Sequence, residues 1–222
     1  MFCELKILLR VGVWMRMYVR NLMLGVLLAV LAVPITGQAS DHKKYSKLSE
    51  SCTLPHPPQT IAVLTGGHAI VDFSPAGGGE ELILQAIDAA QYKILVQAYS
   101  ITDRRIITAL GKAMARGVEV RMILDKTDAQ PYAGHAPVAS VISAQHIPVW
   151  IDYSVYIAHN KVMIIDAKEL ITGSYNFTYT ADYGNAENLL VIRNAPELIE
   201  AYIGNWKWRQ SCSQLYSGEP IN

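Results

Sequence analysis

Three cysteines in 222 residues are too few for a disulfide-rich scaffold, and their spacing matches no zinc-binding pattern. Excess positive charge is missing too: 19 basic residues face 19 acidic ones. That excludes the strongly basic domain that marks most nucleic-acid binders by charge alone, so a polyanion would have to be held by a local patch. The longest almost purely apolar run, Leu22 to Val33, has twelve residues, short of the roughly 20 needed to span a bilayer. There is no internal repeat. Gly77-Gly78-Gly79 lacks the lysine that a phosphate-binding Walker loop requires, and reads as a turn before a helix.

What is present divides the chain into three. In residues 1–39 the apolar run follows Arg16 and Arg20 and precedes Gly37-Gln38-Ala39, the arrangement of a cleavable signal peptide. Its first region is unusually long, so a later start at Met15 or Met17 fits the pattern better. An uncleaved membrane anchor is the competing reading, and N-terminal sequencing of the exported protein separates the two. Without residues 1–39, 15 basic residues face 18 acidic ones, a formal charge of −3. Residues 40–60 are polar, with Pro55, Pro57 and Pro58, and read as an exposed arm. Export makes a disulfide between Cys52 and Cys212 an expectation, checked by gel mobility with and without reductant.

Residues 61–222 carry the domain. Ile61–Leu64 and Ala69–Phe73 read as strands, Glu80–Gln91 as an amphipathic helix, and Ile94–Ser100 as a strand. A helix capped by Thr102 or Asp103 runs to Gly117, and Val118–Leu124 is the next strand. This alternation predicts an α/β domain with a mixed, largely parallel sheet flanked by helices. Asp125 to Gly134 is an irregular loop, Pro137–Gln145 a helix, and Pro148–Ile151 a short strand. Phe177 to Asn185 reads as a loop, Glu187–Ile192 as a strand, and a last helix starts at Pro196 after an Asn194 cap, with Leu198, Tyr202 and Trp206 inward.

The most informative stretch is His159 to Asn176. His159 and Lys161 are two apart, so on an extended strand they share a face. Val162 to Ile165 is apolar on both faces, and Leu170-Ile171-Thr172 reads as a returning strand. A hairpin folded near Ala167 brings His159 and Lys161 beside Ser174 and Asn176. An ammonium, several hydrogen-bond donors and a nucleophilic imidazole together suit a phosphate group. Lys126, Tyr153 and Tyr156 are candidates to touch substrate; solvated loop positions and simple packing account for them as well. His42 and Lys44 repeat the His-x-Lys spacing, but Ser49 replaces the acid and no apolar strand follows.

His-x-Lys, four residues, Asp166, six residues and Gly173-Ser174-x-Asn176 resemble the signature of the phospholipase D superfamily, in particular its small bacterial endonucleases with one motif copy. The likeness extends from about His68 to Tyr216 and includes Ala98-Tyr99-Ser100, Arg116 to Val120, and Glu187-Asn188. The resemblance implies a phospholipase D-like fold with one domain per chain, and a metal-independent phosphodiesterase with no cofactor. His159 would form a phosphohistidine, Lys161 and Asn176 would hold non-bridging oxygens, and Ser174 would add a hydrogen bond. Glu187 would accept from the catalytic imidazole, while Asp166, a strand's length from His159, would serve the turn. One motif supplies half the chemistry, so a C2 homodimer with a shared site is implied. DNA, with RNA as a further possibility, is the substrate this subgroup implies. Phosphatidyl lipids, or a catalytically inactive nucleic-acid-binding module, are the alternatives.

Overall fold

The computed structural model describes residues 66–75 and 77–218. The predicted signal peptide with Met15 and Met17, the 40–60 arm with His42, Lys44 and Cys52, and the strand at Ile61–Leu64 lie outside the described residues.

Eight strands form one sheet: β1 (His68–Ser74), β2 (Lys93–Ala98), β3 (Glu119–Asp125), β4 (Val149–Asp152), β5 (Lys161–Ile165), β6 (Glu169–Gly173), β7 (Glu187–Arg193) and β8 (Gln214–Leu215). Their spatial order is β1-β7-β6-β5-β2-β3-β4-β8. The helices are α1 (Gly79–Ala89), α2 (Arg104–Ala115), α3 (Val138–Ser143), α4 (Tyr179–Tyr183) and α5 (Pro196–Ser211). A 3-10 turn, Lys126–Ala129, follows β3.

The sheet is mixed and flanked by helices, as the alternation of elements implied, but it is not largely parallel. Parallel pairing is confined to β2-β3-β4, the part joined by the crossovers through α2 and α3. The β5-β6-β7 meander, the β2-β5 pair and both edge strands are antiparallel. The reason is connection length: two to a dozen residues can reverse a strand, whereas a parallel return needs a crossover element.

Both sheet faces are covered, which explains why β5 is buried at every position. One face packs Ile94, Val96, Val120, Met122, Met163 and Ile171 under α1 to α4. The other packs Leu95, Ile123, Val162, Ile164, Leu170 and Ile192 against Ile199, Ile203 and Trp206 of α5. The Trp206 indole N–H donates to the Val96 carbonyl at 2.9 Å, tying α5 to the central strand.

Local signals explain most boundaries. Asp103 is the N-cap of α2, accepting from the Arg105 and Ile106 amides. Pro196 occupies the first turn of α5. Asn194 does not cap α5; it sits at φ 56 in the turn, and Ala195 holds the cap position. Ile199 and Ile203, rather than Leu198 and Tyr202, join Trp206 as the most buried positions. The segment after Phe177 contains α4, capped by the Thr178 hydroxyl, where a loop was expected. The β5-β6 hairpin reverses through Asp166 and Ala167, at φ 52 and 53, the twist that short hairpin turns favour.

Candidate active site

The topology collects the chemistry at one end of the sheet. β2, β3 and β4 finish there, as do β1 and β6, while β5 and β7 begin there. Ala98 of β2 pairs with Lys161 of β5, and Tyr99 N–H donates to the Asn160 carbonyl at 2.9 Å. Gly173 pairs with Leu189, and Ser74 with Glu187. His159, Lys161, Ser174, Asn176 and Glu187, up to 28 positions apart in the chain, therefore line one open edge.

The His159 side is exposed, and no hydrogen bond to its ring is present among the described residues. The ring lies 4.6 Å from the Tyr99 ring, tilted by 52°. Lys161 is buried, 6% exposed, and its ammonium donates to the His159 carbonyl at 2.9 Å while lying 4.9 Å above the same Tyr99 ring. Burial pushes the Lys161 ammonium below its ordinary pKa; the Glu187 carboxylate partly opposes this. Tyr99 thus braces both members of the His-x-Lys pair, a role that its place after a strand did not disclose.

The Ser174 side is a closed network. The Ser174 hydroxyl donates to Glu187 Oε2 at 2.6 Å and accepts from the Asn188 backbone and side-chain N–H groups at 3.0 and 3.1 Å. Glu187 Oε1 accepts from Asn185 Nδ2 at 2.9 Å. Two expectations change. Ser174 gives its proton to Glu187, so it supports that carboxylate rather than being free to bond a phosphate oxygen. Glu187 is committed to Ser174 and Asn185, and makes no bond to the His159 imidazole of its own chain. Asn176 has a buried Oδ1 without a partner among the described residues, a costly state that an incoming donor would relieve.

Asp166 stands at the opposite end of β5. Its carboxylate accepts from the Gln91, Tyr92 and Lys93 amides, each at 2.8 Å. Burial alone would raise its pKa, but these three bonds, with nearby Lys168, hold the carboxyl below its usual value. It ties the hairpin turn to the start of β2 and takes no part in the site.

Residues 83–208 match a protein-family model described as "Cardiolipin synthase, PLD-like domain". The chain belongs to the phospholipase D superfamily. It is 40% identical over 154 residues to a phospholipase D of Rickettsia prowazekii, covering 69% of this chain and 73% of the relative. A mouse mitochondrial cardiolipin hydrolase is 28% identical over 140 residues, 62% of each protein. Among solved structures it is similar to Nuc from Salmonella typhimurium, a phospholipase D family member, with a TM-score of 0.62 and 37% identity over 68% of this chain and 98% of that one. NucT from Helicobacter pylori, at 20% identity and a TM-score of 0.60, shares the fold over 68% of this chain and 99% of its own. This phospholipase D superfamily member is accordingly a phosphodiesterase, built on the same α/β domain.

The remaining candidates of this phospholipase D superfamily chain flank the site. Lys126 Nζ donates to the Val155 carbonyl at 3.2 Å and lies 5.5 Å over the Tyr156 ring. Tyr156 is 71% exposed, whereas Tyr153 is half-buried against the core. Cys212 is buried and disulfide-bonded; Cys52 lies outside the described residues, and their pairing stays an expectation.

Asp128, just after β3, is buried with Oδ2 unpaired among the described residues. Burial, and then nearby Asp125, push its carboxyl up to about 7. Because the folded pKa is raised above 3.8, the protonated form stabilises the fold in full below that value, and the contribution is lost as pH rises through about 7. Asp128→Asn should therefore raise stability at pH 8 by at most about 4 kcal/mol, and by clearly less at pH 5, where only part of the contribution has been lost. Urea denaturation at both values checks this; an equal effect at both would contradict it.

Proposed function

We propose that this phosphodiesterase is a non-specific endonuclease that cleaves DNA, with RNA the further substrate to test, without metal or cofactor, through a phosphohistidine in a site shared by two chains. One observation carries the reading: among the described residues, one exposed imidazole, that of His159, shares the open end of the sheet with a buried ammonium, Lys161, which donates to the His159 carbonyl. In-line displacement at phosphorus uses a nucleophile on one side and an acid on the other, and the described residues of one chain bring one imidazole to this end of the sheet.

In the proposed sequence His159 attacks phosphorus and the ester P–O bond breaks. The partner's His159, protonated, gives its proton to the leaving oxygen. That second imidazole then takes a proton from water, whose oxygen attacks the phosphohistidine and releases His159. Lys161 and the Asn176 amide would hold the non-bridging oxygens as charge gathers there. The open edge accepts a polymer, and the match to Nuc, which leaves almost none of that protein uncovered, supports the nuclease reading. Cleavage of the leader expected in residues 1–39 would release the enzyme to the periplasm or outside the cell, and an uncleaved leader would leave it membrane-anchored.

Phospholipid is the second reading. It is favoured by the rickettsial relatives' name and by exposed Phe73, Tyr156, Ile157, Tyr179 and Tyr183 on elements that meet at this end, since aromatic groups suit a lipid headgroup region. Incubation with plasmid DNA, single-stranded RNA and phosphatidylcholine vesicles, each in EDTA, discriminates the readings. Nucleic-acid cleavage that survives EDTA is the expected result. Choline release alone would move the assignment to lipid, loss on chelation would defeat the histidine route, and binding without turnover would indicate an inactive module.

A further inference from the structure

His159 lies near the end of a segment with no regular secondary structure, from Tyr153 to Asn160, between β4 and β5. Since no hydrogen bond to its ring is present among the described residues, the backbone at this point, together with the Tyr99 ring, aims the imidazole. Two buried carboxylates grip that backbone. Asp125 and Asp152 are the last residues of the parallel strands β3 and β4, and they are partners in the β-ladder. They are 1% and 2% exposed.

Each carboxylate divides its oxygens between two tasks. Asp152 Oδ1 accepts from the Ser154 amide and hydroxyl at 2.9 and 2.6 Å; Asp152 Oδ2 receives the Arg209 guanidinium of α5, through Nε at 2.9 Å and through Nη2. Arg209 also reaches the Ser154 hydroxyl at 2.6 Å. Asp125 Oδ1 accepts from the Thr127 amide and hydroxyl at 3.0 and 2.8 Å, which closes the 3-10 turn. Asp125 Oδ2 is left for one donor, the Ala158 N–H at 2.7 Å, one residue before His159.

We propose that Asp125 is a positioning residue for the reaction: its Oδ2, through the Ala158 N–H, sets the direction from which His159 meets phosphorus, while Asp152 and Arg209 anchor the far end of the same segment. A carboxylate this deeply buried is costly unless its lone pairs are taken. Capping a four-residue turn uses only one of its oxygens. The other reaches 33 positions along the chain to the residue before the nucleophile. Displacement of a reacting group by about 1 Å can cost on the order of a hundredfold in rate, so a bond here acts on turnover more than on binding.

The inference rests on the proposed role of His159, and its test keeps the two apart. The probe is bis(4-nitrophenyl) phosphate, a diester too small to depend on how a polymer or membrane docks. Asp125→Asn should lower kcat by roughly 30- to 100-fold with KM within about threefold, because the amide has one acceptor oxygen and presents N–H to Ala158. Thr127→Val, which removes a bond to Oδ1 only, should leave kcat within about twofold. If Asp125→Asn does not fold, lactate in place of Ala158 deletes the same N–H with every side chain kept, and the same fall in kcat is expected. A kcat within twofold of the parent in either variant overturns the inference, as does a fall no larger than the loss of folded protein or one matched by Thr127→Val. Activity persisting in His159→Ala would instead overturn the reading of the site itself.

Discussion

His159→Ala should abolish phosphodiester cleavage, lowering kcat by at least about 10^4, while leaving the melting temperature nearly unchanged. The ring is exposed and touches chiefly Tyr99, a contact worth about 1 kcal/mol or less, so the fold does not depend on it. The shared-site mechanism adds a second expectation. When unfolded chains are mixed and refolded with excess His159→Ala subunits, the surviving wild-type chains should mostly sit in mixed pairs and lose activity beyond simple dilution. Turnover of the pure variant within tenfold of the parent would exclude the histidine as nucleophile. Proportional activity in the mixture would exclude a site that needs both imidazoles, and sedimentation of an active species at monomer mass would do the same.

Gly173→Ala should cost far more stability than a methyl added at an open helical glycine, roughly 2–4 kcal/mol. Gly173 has φ 149, and a Cβ there would lie 2.2 Å from the Asn188 carbonyl oxygen, an atom of the adjoining strand that cannot swing aside. Relief would require β6 and β7 to separate where Ser174 bonds Glu187 and Asn188, so activity should fall with stability. Gly204→Ala supplies the contrast. It lies within α5, meets nothing within 4 Å, and should gain about 0.5–1 kcal/mol from helix propensity. Chemical denaturation of both variants checks the pair; equal effects would mean that the close approach at Gly173 is readily relaxed.

The glycine of the Gly173-Ser174-x-Asn176 motif is therefore explained by strand packing, not by contact with substrate. The same holds for Asp166, whose three amide bonds secure a turn at the opposite end of β5 from His159. Conversely, Asp125, Asp152 and Tyr99 hold or contact the segment carrying His159 but end or follow ordinary apolar strands, and nothing in their immediate neighbours distinguishes them from turn-forming residues. An observer of spacing alone could find His159, Lys161, Ser174 and Asn176, because a hairpin with side chains alternating every second residue makes their convergence a local matter.

Local pattern was enough for the α/β class, a helix starting at Thr102 or Asp103 and another at Pro196, the hairpin near Ala167 and the family to which the chain belongs. These follow from periodicity, capping and turn chemistry, all of which act over a few residues. Long-range packing was needed to show that the sheet is mostly antiparallel, that Glu187 serves Ser174 rather than its own chain's imidazole, and that two strand-end carboxylates hold the segment carrying His159. Those outcomes depend on which strands lie side by side. That choice is made by burying both faces of the sheet and satisfying polar groups between residues 13 to 57 positions apart, as in Ser174–Glu187 and Arg209–Asp152.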